Sequence, residues 1–239
     1  TETAYLETCS AIGLVFWAHR MLHAELDGDY GDVMELALHN GVLSGVSLEG
    51  DSFFYANPLA VHPGMSGKGY VGPDFHYRRS PWFGCACCPT NVARLLASLG
   101  SYIYSTGRNE LCVHLYVNSR ARAQTAGQAI EVAQETEYPW KDRVRLTITP
   151  GKPAAFTVSL RVPAWCRTPG LKVNGKVQAL SPLLRKGYAR VKRRWEAGDR
   201  IELTLPMPAE RVVAPPQARQ VCGRVALRRG PVVYCLEEV

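Results

Sequence analysis

Apolar residues change their spacing once along this 239-residue chain, and the change divides it into two textures. From Tyr5 to Leu26, helix-forming residues dominate. Ile12, Val15, Phe16, Met21 and Leu22 recur at the intervals of one buried helical face, which Gly28-Asp29 closes. Asp32 is placed to cap a second helix running to about Leu38, with Asn40-Gly41 as its stop. Ser44 to Tyr55 then changes to short strand-like runs folded about Glu49-Gly50-Asp51, a small hairpin. Pro58 to Pro81, with Gly64, Gly67, Gly69 and Gly72, predicts a long loop, a feature that is usually functional or disordered. A third apolar stripe, Val92, Leu95, Leu96 and Leu99, follows Pro89 and ends at Gly100. Proline suits the first turn of a helix, where its missing N–H has no intrahelical partner anyway.

Beyond Gly100 the chain breaks into short alternating or β-branched runs: Tyr102–Tyr104, Leu111–Val117, Gln128–Glu135, Val144–Thr149, Phe156–Val162, Tyr188–Val191 and Ile201–Leu205. Strands at this spacing predict an antiparallel sandwich or barrel. Pro206 to Pro216 holds four prolines and no helix pattern, so it is expected to cross to another sheet. Val225–Leu227 and Val232–Leu236 supply further strands around Arg229-Gly230-Pro231.

Charge follows the same division. Residues 1–106 carry five Lys and Arg against ten Asp and Glu, and the remainder carries 23 against 11, so a net +7 combines −5 with +12. A basic half can serve polyanions. No RNA-binding aromatic-and-glycine pattern, zinc-finger spacing or recognition helix accompanies it, so neither nucleic acid nor anything beyond solvated strand faces is implied. No apolar run approaches the roughly 18 residues of a membrane span, and no membrane anchor is expected. The opening Thr1-Glu2-Thr3, without methionine or signal-peptide pattern, reads as the interior of a longer protein and leaves the compartment open. Available thiols lean toward a reducing, cytoplasmic setting.

Three of the eight cysteines, Cys85, Cys87 and Cys88, fall within four positions at the predicted start of the third helix. Unpaired N–H groups and the positive end of the helix dipole favour thiolate there, below the free pKa of about 8.5. Burial as small hydrophobes is the alternative, whereas a disulfide scaffold would need a shorter, more Cys-dense chain. Cys112, Cys166, Cys222 and Cys235 are expected to be core or half-buried. Glu7 and Cys9 add a carboxylate and a thiol two residues apart, which share a face only if that stretch is extended or its helix begins at about Ser10. Joined to Cys87 and Cys88, they make a set of three sulfurs and one oxygen suited to tetrahedral Zn²⁺. His19, His23 and His39 read as surface or helix-face residues, and His62 and His76 sit in the long loop.

The stretches Tyr5-Leu-Glu-Thr-Cys9, Phe54-Tyr55-Ala-Asn-Pro58, Trp82-Phe-Gly-Cys-Ala-Cys-Cys-Pro-Thr-Asn-Val-Ala-Arg94, Ser101-Tyr-Ile-Tyr104 and Gly223-Arg-Val-Ala-Leu-Arg-Arg-Gly-Pro-Val-Val-Tyr-Cys-Leu-Glu237 resemble the β-L-arabinofuranosidases of glycoside hydrolase family 127. The resemblance implies an α+β multidomain chain. Residues 1–104 would be the end of an (α/α)6 helical-barrel catalytic domain, 105–208 an antiparallel β-sandwich, and 209–239 the first strands of a second β-sandwich. It further implies that Glu7, Cys9, Cys87 and Cys88 hold Zn²⁺ and that Cys87 is the nucleophile of a retaining reaction. Tyr55 would contact substrate, with a core aromatic of the hairpin as the alternative. The partner would be an arabinofuranosyl oligosaccharide or glycoconjugate, and the full-length parent a candidate homodimer. In that family the proton donor is a glutamate upstream of the Glu-x-Cys pair. Neither Glu2 nor Glu7 matches its motif, so the chain alone is expected to be catalytically feeble. A second reading is a non-catalytic zinc staple beside a structural or carbohydrate-binding sandwich.

Overall fold

The computed structural model describes residues 5–57 and 78–235. Glu2, residues 58–77 of the expected long loop with His62 and His76, and Leu236 of the last expected strand lie outside the described residues. The chain divides into two compact units. One takes the described residues of Thr1–Ala18, Val33–Ser98 and Ala209–Val239, the other His19–Asp32 and Leu99–Pro208. A few helices accompany mixed sheets in a β-rich chain. No described helix is long and apolar enough to cross a membrane.

The first unit contains most of the helical structure. Helix α1 spans Thr8–Ala24, α2 Gly28–Ala37 and α3 Cys87–Ser98. Ile12 and Val15 of α1 and Val92 and Leu95 of α3 are buried as their spacing predicts, while Leu96 is exposed. The Arg94 guanidinium of α3 lies 4.5 Å from the Phe16 ring centroid of α1, a cation–π contact between the two helices. Asn40-Gly41 does not stop the chain's coiling: α2 continues into a π-turn over Leu38–Val42 and a 3₁₀ turn over Leu43–Gly45. Gly41 meets α1 so closely that a Cβ there would sit 2.7 Å from the Ala11 Cβ. The expected hairpin reduces to single bridges, Val46 to Phe53 and Phe53 to Ser80. A three-stranded sheet of β12 (Ala209–Val213), β13 (Val225–Arg229) and β14 (Val232–Tyr234) completes the unit. The Asn40 side chain ties the π-turn to it, donating to the Pro231 carbonyl and accepting from the Val233 N–H at 2.8 Å each.

In the second unit two sheets enclose one core. The first has the order β1 (Tyr104–Gly107), β2 (Glu110–Val113), β6 (Ala154–Arg161), β10 (Tyr188–Trp195), β9 (Leu184–Arg185). The second runs β3 (Ser119–Thr125), β4 (Gln128–Thr136), β5 (Arg143–Pro150), β11 (Asp199–Thr204), β7 (Gly170–Val173), β8 (Lys176–Gln178). Alternation sends Phe156, Val158 and Leu160 from one sheet against Ile130, Val132, Leu146, Ile148 and Ile201 from the other. The β3–β4 and β7–β8 hairpins close through the two-residue pairs Ala126-Gly127 and Asn174-Gly175, all at positive φ, the backbone that matches strand twist in tight hairpins.

Several sequence expectations are corrected. The sheets are antiparallel except that β2 and β6 run parallel. Tyr102 and Ile103 belong to a short helix α4 (Gly100–Ile103), not to a strand, and Gly100 opens that turn. Cys112 and Cys166 are buried, but Cys222, in the connection between β12 and β13, and Cys235, just after β14, are exposed. Asp32 does not cap α2. Asp27 accepts from the Asp29 N–H at 3.1 Å and fills that role, whereas Asp32, one turn in, is held by Arg161 at 2.5 Å and by the Ala164 N–H at 2.8 Å.

Arg161 is fully buried, and its Nε also donates to the His114 carbonyl at 2.7 Å. Removing its counter-charge would strand a buried cation. Asp32→Ala should therefore cost about 3–5 kcal/mol in urea unfolding of this unit, and a loss under 1 kcal/mol would contradict that role. His114 is buried between the Tyr188 hydroxyl at 2.7 Å and the Ser105 hydroxyl at 2.8 Å. Burial, then the Arg161 charge, pushes its pKa down to about 3. The unfolded histidine titrates near 6.5, so its contribution is full above that pH and is lost as pH falls toward 3, at up to about 1.4 kcal/mol per pH unit. The stability advantage of wild type over His114→Gln should shrink across that window, and an advantage constant with pH would contradict it.

Candidate metal centre

Three segments far apart in sequence meet in the first unit. Glu7 is extended and bridges Ala56 in antiparallel fashion, with Thr8 N–H donating to the Tyr55 carbonyl at 3.0 Å and Asn57 N–H to the Leu6 carbonyl at 2.8 Å. Helix α1 begins immediately afterwards, at Thr8 rather than Ser10. One extended residue followed by the first helical turn lets Glu7 and Cys9 turn toward the same side. Buried Thr8 fixes the junction: its hydroxyl donates to the Phe54 carbonyl at 3.0 Å and accepts from the Asn57 amide at 3.2 Å. That amide also reaches the Gly41 carbonyl at 3.3 Å. Thr8 and Asn57 are positioning residues that carry no chemical signature in sequence, and only their place in the neighbouring motifs marks them.

The third segment is the start of α3, which presents Cys87 and Cys88 from its first turn. The ligand atoms of Glu7, Cys9, Cys87 and Cys88 all lie within 4.8 Å of one another, a group that could hold a metal ion. Cys9 and Cys88 sulfurs are 3.8 Å apart, Cys87 and Cys88 3.7 Å, and Glu7 Oε1 stands 3.4 Å from Cys87 and 3.9 Å from Cys88. Cys88 is buried, Glu7, Cys9 and Cys87 half-buried, and Cys85 is exposed, outside the group. Phe53, Tyr55, Ala56 and Phe83 wall the sulfurs, with the two phenylalanine rings edge-to-face at 5.0 Å.

Tyr55 is buried in that wall, and its hydroxyl lies 3.8 Å from the Cys87 sulfur. Tyr5, which sequence reasoning passed over, donates to Glu7 Oε2 at 2.5 Å and lies 3.5 Å from the Tyr55 hydroxyl. Hydrogen bonding to Glu7 raises the Tyr5 pKa, and hydrogen bonding to Tyr5, then burial, raises that of Tyr55. Both phenols are thereby favoured in the protonated form, Tyr5 as donor to Glu7. The helix N-terminus was expected to acidify the thiols, yet burial, followed by the adjacent Cys9 and Cys87 sulfurs, pushes the Cys88 thiol up. Loss of hydration and like charge outweigh the dipole at that position.

Three family models match the chain. The β-L-arabinofuranosidase GH127 catalytic domain covers residues 1–101, the GH127 middle domain 110–207, and the glycoside hydrolase family 127 C-terminal domain 209–239. The non-reducing end β-L-arabinofuranosidase of Bifidobacterium longum subsp. longum is 38% identical over all of this chain and 36% of its own length. The crystal structure of a GH127 β-L-arabinofuranosidase from Geobacillus stearothermophilus T6 superposes with a TM-score of 0.93 at 49% identity, over 98% of this chain and 37% of that one. A further GH127 β-arabinofuranosidase structure gives 0.86 at 39% identity, over 96% and 37%. The chain thus spans a little over a third of the length of these relatives.

If the Thr8 junction aims Glu7 and Cys9 at the sulfurs of α3, Thr8→Val keeps every donor atom but loosens the cage. Metal affinity in competition with a chromophoric chelator should fall on the order of 10- to 100-fold. Unchanged affinity would contradict the role.

Proposed function

This chain belongs to glycoside hydrolase family 127, and from that premise we propose that it carries the nucleophilic half of a retaining β-L-arabinofuranosidase centre. In this reading Glu7, Cys9, Cys87 and Cys88 hold Zn²⁺ and Cys87 attacks the sugar. The substrate is an arabinofuranosyl oligosaccharide or glycoconjugate with a β-L-arabinofuranose at its non-reducing end. The helices are then the closing elements of an (α/α)6 barrel, and β12–β14 open a second sandwich.

The observation that carries the reading is the spacing of the donors. Zinc–sulfur bonds of about 2.3 Å and a zinc–oxygen bond of about 2.0–2.2 Å in a tetrahedron separate sulfurs by roughly 3.8 Å and sulfur from oxygen by roughly 3.5 Å. Two sulfur separations in the structure are 3.7 and 3.8 Å, and the carboxylate lies 3.4 and 3.9 Å from two of the sulfurs. When bound, the metal would keep the thiols deprotonated at neutral pH and offset their charge.

The remaining work falls to the protein's own side chains. Buried Cys88 is suited to a permanent ligand, whereas half-buried Cys87, at the positive end of α3 and beside the Tyr55 hydroxyl, is suited to meet a sugar. The Cys87 sulfur forms a C–S bond to the anomeric carbon as the C–O bond to the leaving group breaks, its electron pair departing on oxygen. Water then forms a new C–O bond as the C–S bond breaks, the pair returning to sulfur and the water's proton passing to the acid/base group that had protonated the leaving oxygen. Tyr55, a protonated donor, orients the sugar through its hydroxyl. In this reading Glu7 belongs to the cluster, and the acid that protonates the leaving group is the glutamate upstream of the Glu-x-Cys pair that the family resemblance implies. Such an acid is worth typically 10²–10⁴-fold, and the chain alone should turn over a nitrophenyl β-L-arabinofuranoside feebly or not at all.

Four complete ligands also suit a closed, purely structural site, the second reading. The two separate on covalent chemistry. The zinc-loaded chain treated with an arabinofuranose-configured mechanism-based inhibitor should gain one adduct, mapped by mass spectrometry to Cys87 and lost in Cys87→Ser. No adduct, or one that persists in the variant, would overturn the nucleophile assignment and leave the structural reading.

A further inference from the structure

A second pair of ligating side chains lies in the sandwich unit, on the last turns of α1. His19 and His23 are four residues apart and share a helix face. Their Nε2 atoms converge to 3.2 Å, with ring centroids 4.6 Å apart and planes at 77°. His23 opens to solvent. His19 is half-buried, its ring centroid lies 4.3 Å from that of Tyr102, and it hydrogen-bonds to the Ser101 backbone. Anchored at both places, the His19 ring is held with one nitrogen toward its partner.

We propose that His19 and His23 form a second metal site, a two-histidine chelate for a borderline divalent cation such as Ni²⁺ or Zn²⁺, with water in the remaining positions. Two imidazole nitrogens at about 2.0–2.1 Å from one ion, subtending roughly 90–109°, stand about 2.9–3.4 Å apart, and the observed 3.2 Å falls inside that range. A backbone hydrogen bond to a ligating histidine is the support that fixes ring orientation at metal sites. Imidazole suits nickel, copper and zinc rather than calcium or magnesium. Position favours the charge as well, because the carbonyl ends of a helix attract cations within the last turn. Binding would brace the end of α1, which is independent of the thiol cluster in both ligands and location along the helix.

The test uses the full chain with its thiol cluster already loaded with zinc. Titration with Ni²⁺, followed calorimetrically, should reveal one further equivalent. His19→Ala and His23→Ala should each weaken it at least about tenfold, while His39→Ala behaves as wild type and metal analysis finds the first zinc retained in all. Unchanged circular dichroism in His23→Ala, an exposed position, guards against misfolding. Absence of the further equivalent, or an isotherm unaltered in His23→Ala, would overturn the proposal and leave an N–H···N hydrogen bond between the rings.

Discussion

Three thiols and a carboxylate are brought together so closely that their ligand atoms all lie within 4.8 Å of one another, and the first unit is built around that crowding. Each pair of unit charges at such a distance repels by roughly 4 kcal/mol even at an effective dielectric near 20. A bound cation would offset that repulsion, which is why such a group could hold a metal ion. The fold of the first unit serves this crowding. The Glu7–Ala56 bridge, the Thr8–Asn57 hydrogen bonds, the close approach of Gly41 to Ala11 and the Arg94–Phe16 contact all hold the start of α1 and the start of α3 at one spot.

That arrangement places adjacent cysteines in different surroundings. Helical geometry points consecutive residues about 100° apart, so Cys88 enters the aromatic wall while Cys87 stays half-buried beside the Tyr55 hydroxyl. A retaining glycosidase ordinarily uses two carboxyl groups about 5–5.5 Å apart. The proposed centre keeps that logic with a sulfur in place of the nucleophilic carboxylate, while Tyr5 and Tyr55 remain proton-bearing groups around it.

What was legible in the sequence followed from pattern and local chemistry. Val92, Leu95 and Pro89 foretold α3 and put Cys87 and Cys88 in its first turn, and alternating apolar residues foretold β4, β5, β6 and β11. The failures share one cause, that tertiary partners outrank local signals. Asp32 looks like a cap, but buried Arg161 claims it. Strand β3, Ser-Arg-Ala-Arg-Ala-Gln-Thr, has too little apolar content to announce itself and exists through its pairing with β4. Tyr102 and Ile103 are β-favouring residues turned into helix α4. At the site, donor types were readable from Glu-x-Cys and Cys-Cys, whereas Thr8, Asn57 and Tyr5 matter only through contacts made across the fold.

The central claim is that one divalent ion sits inside three sulfurs and one oxygen. X-ray absorption at the zinc edge of the metal-loaded chain, with the histidine pair removed by His19→Ala and His23→Ala, measures that inner shell directly. The account predicts three sulfur scatterers at about 2.3 Å and one oxygen at about 2.0–2.2 Å. A shell of nitrogen and oxygen alone, or with a single sulfur, would contradict it.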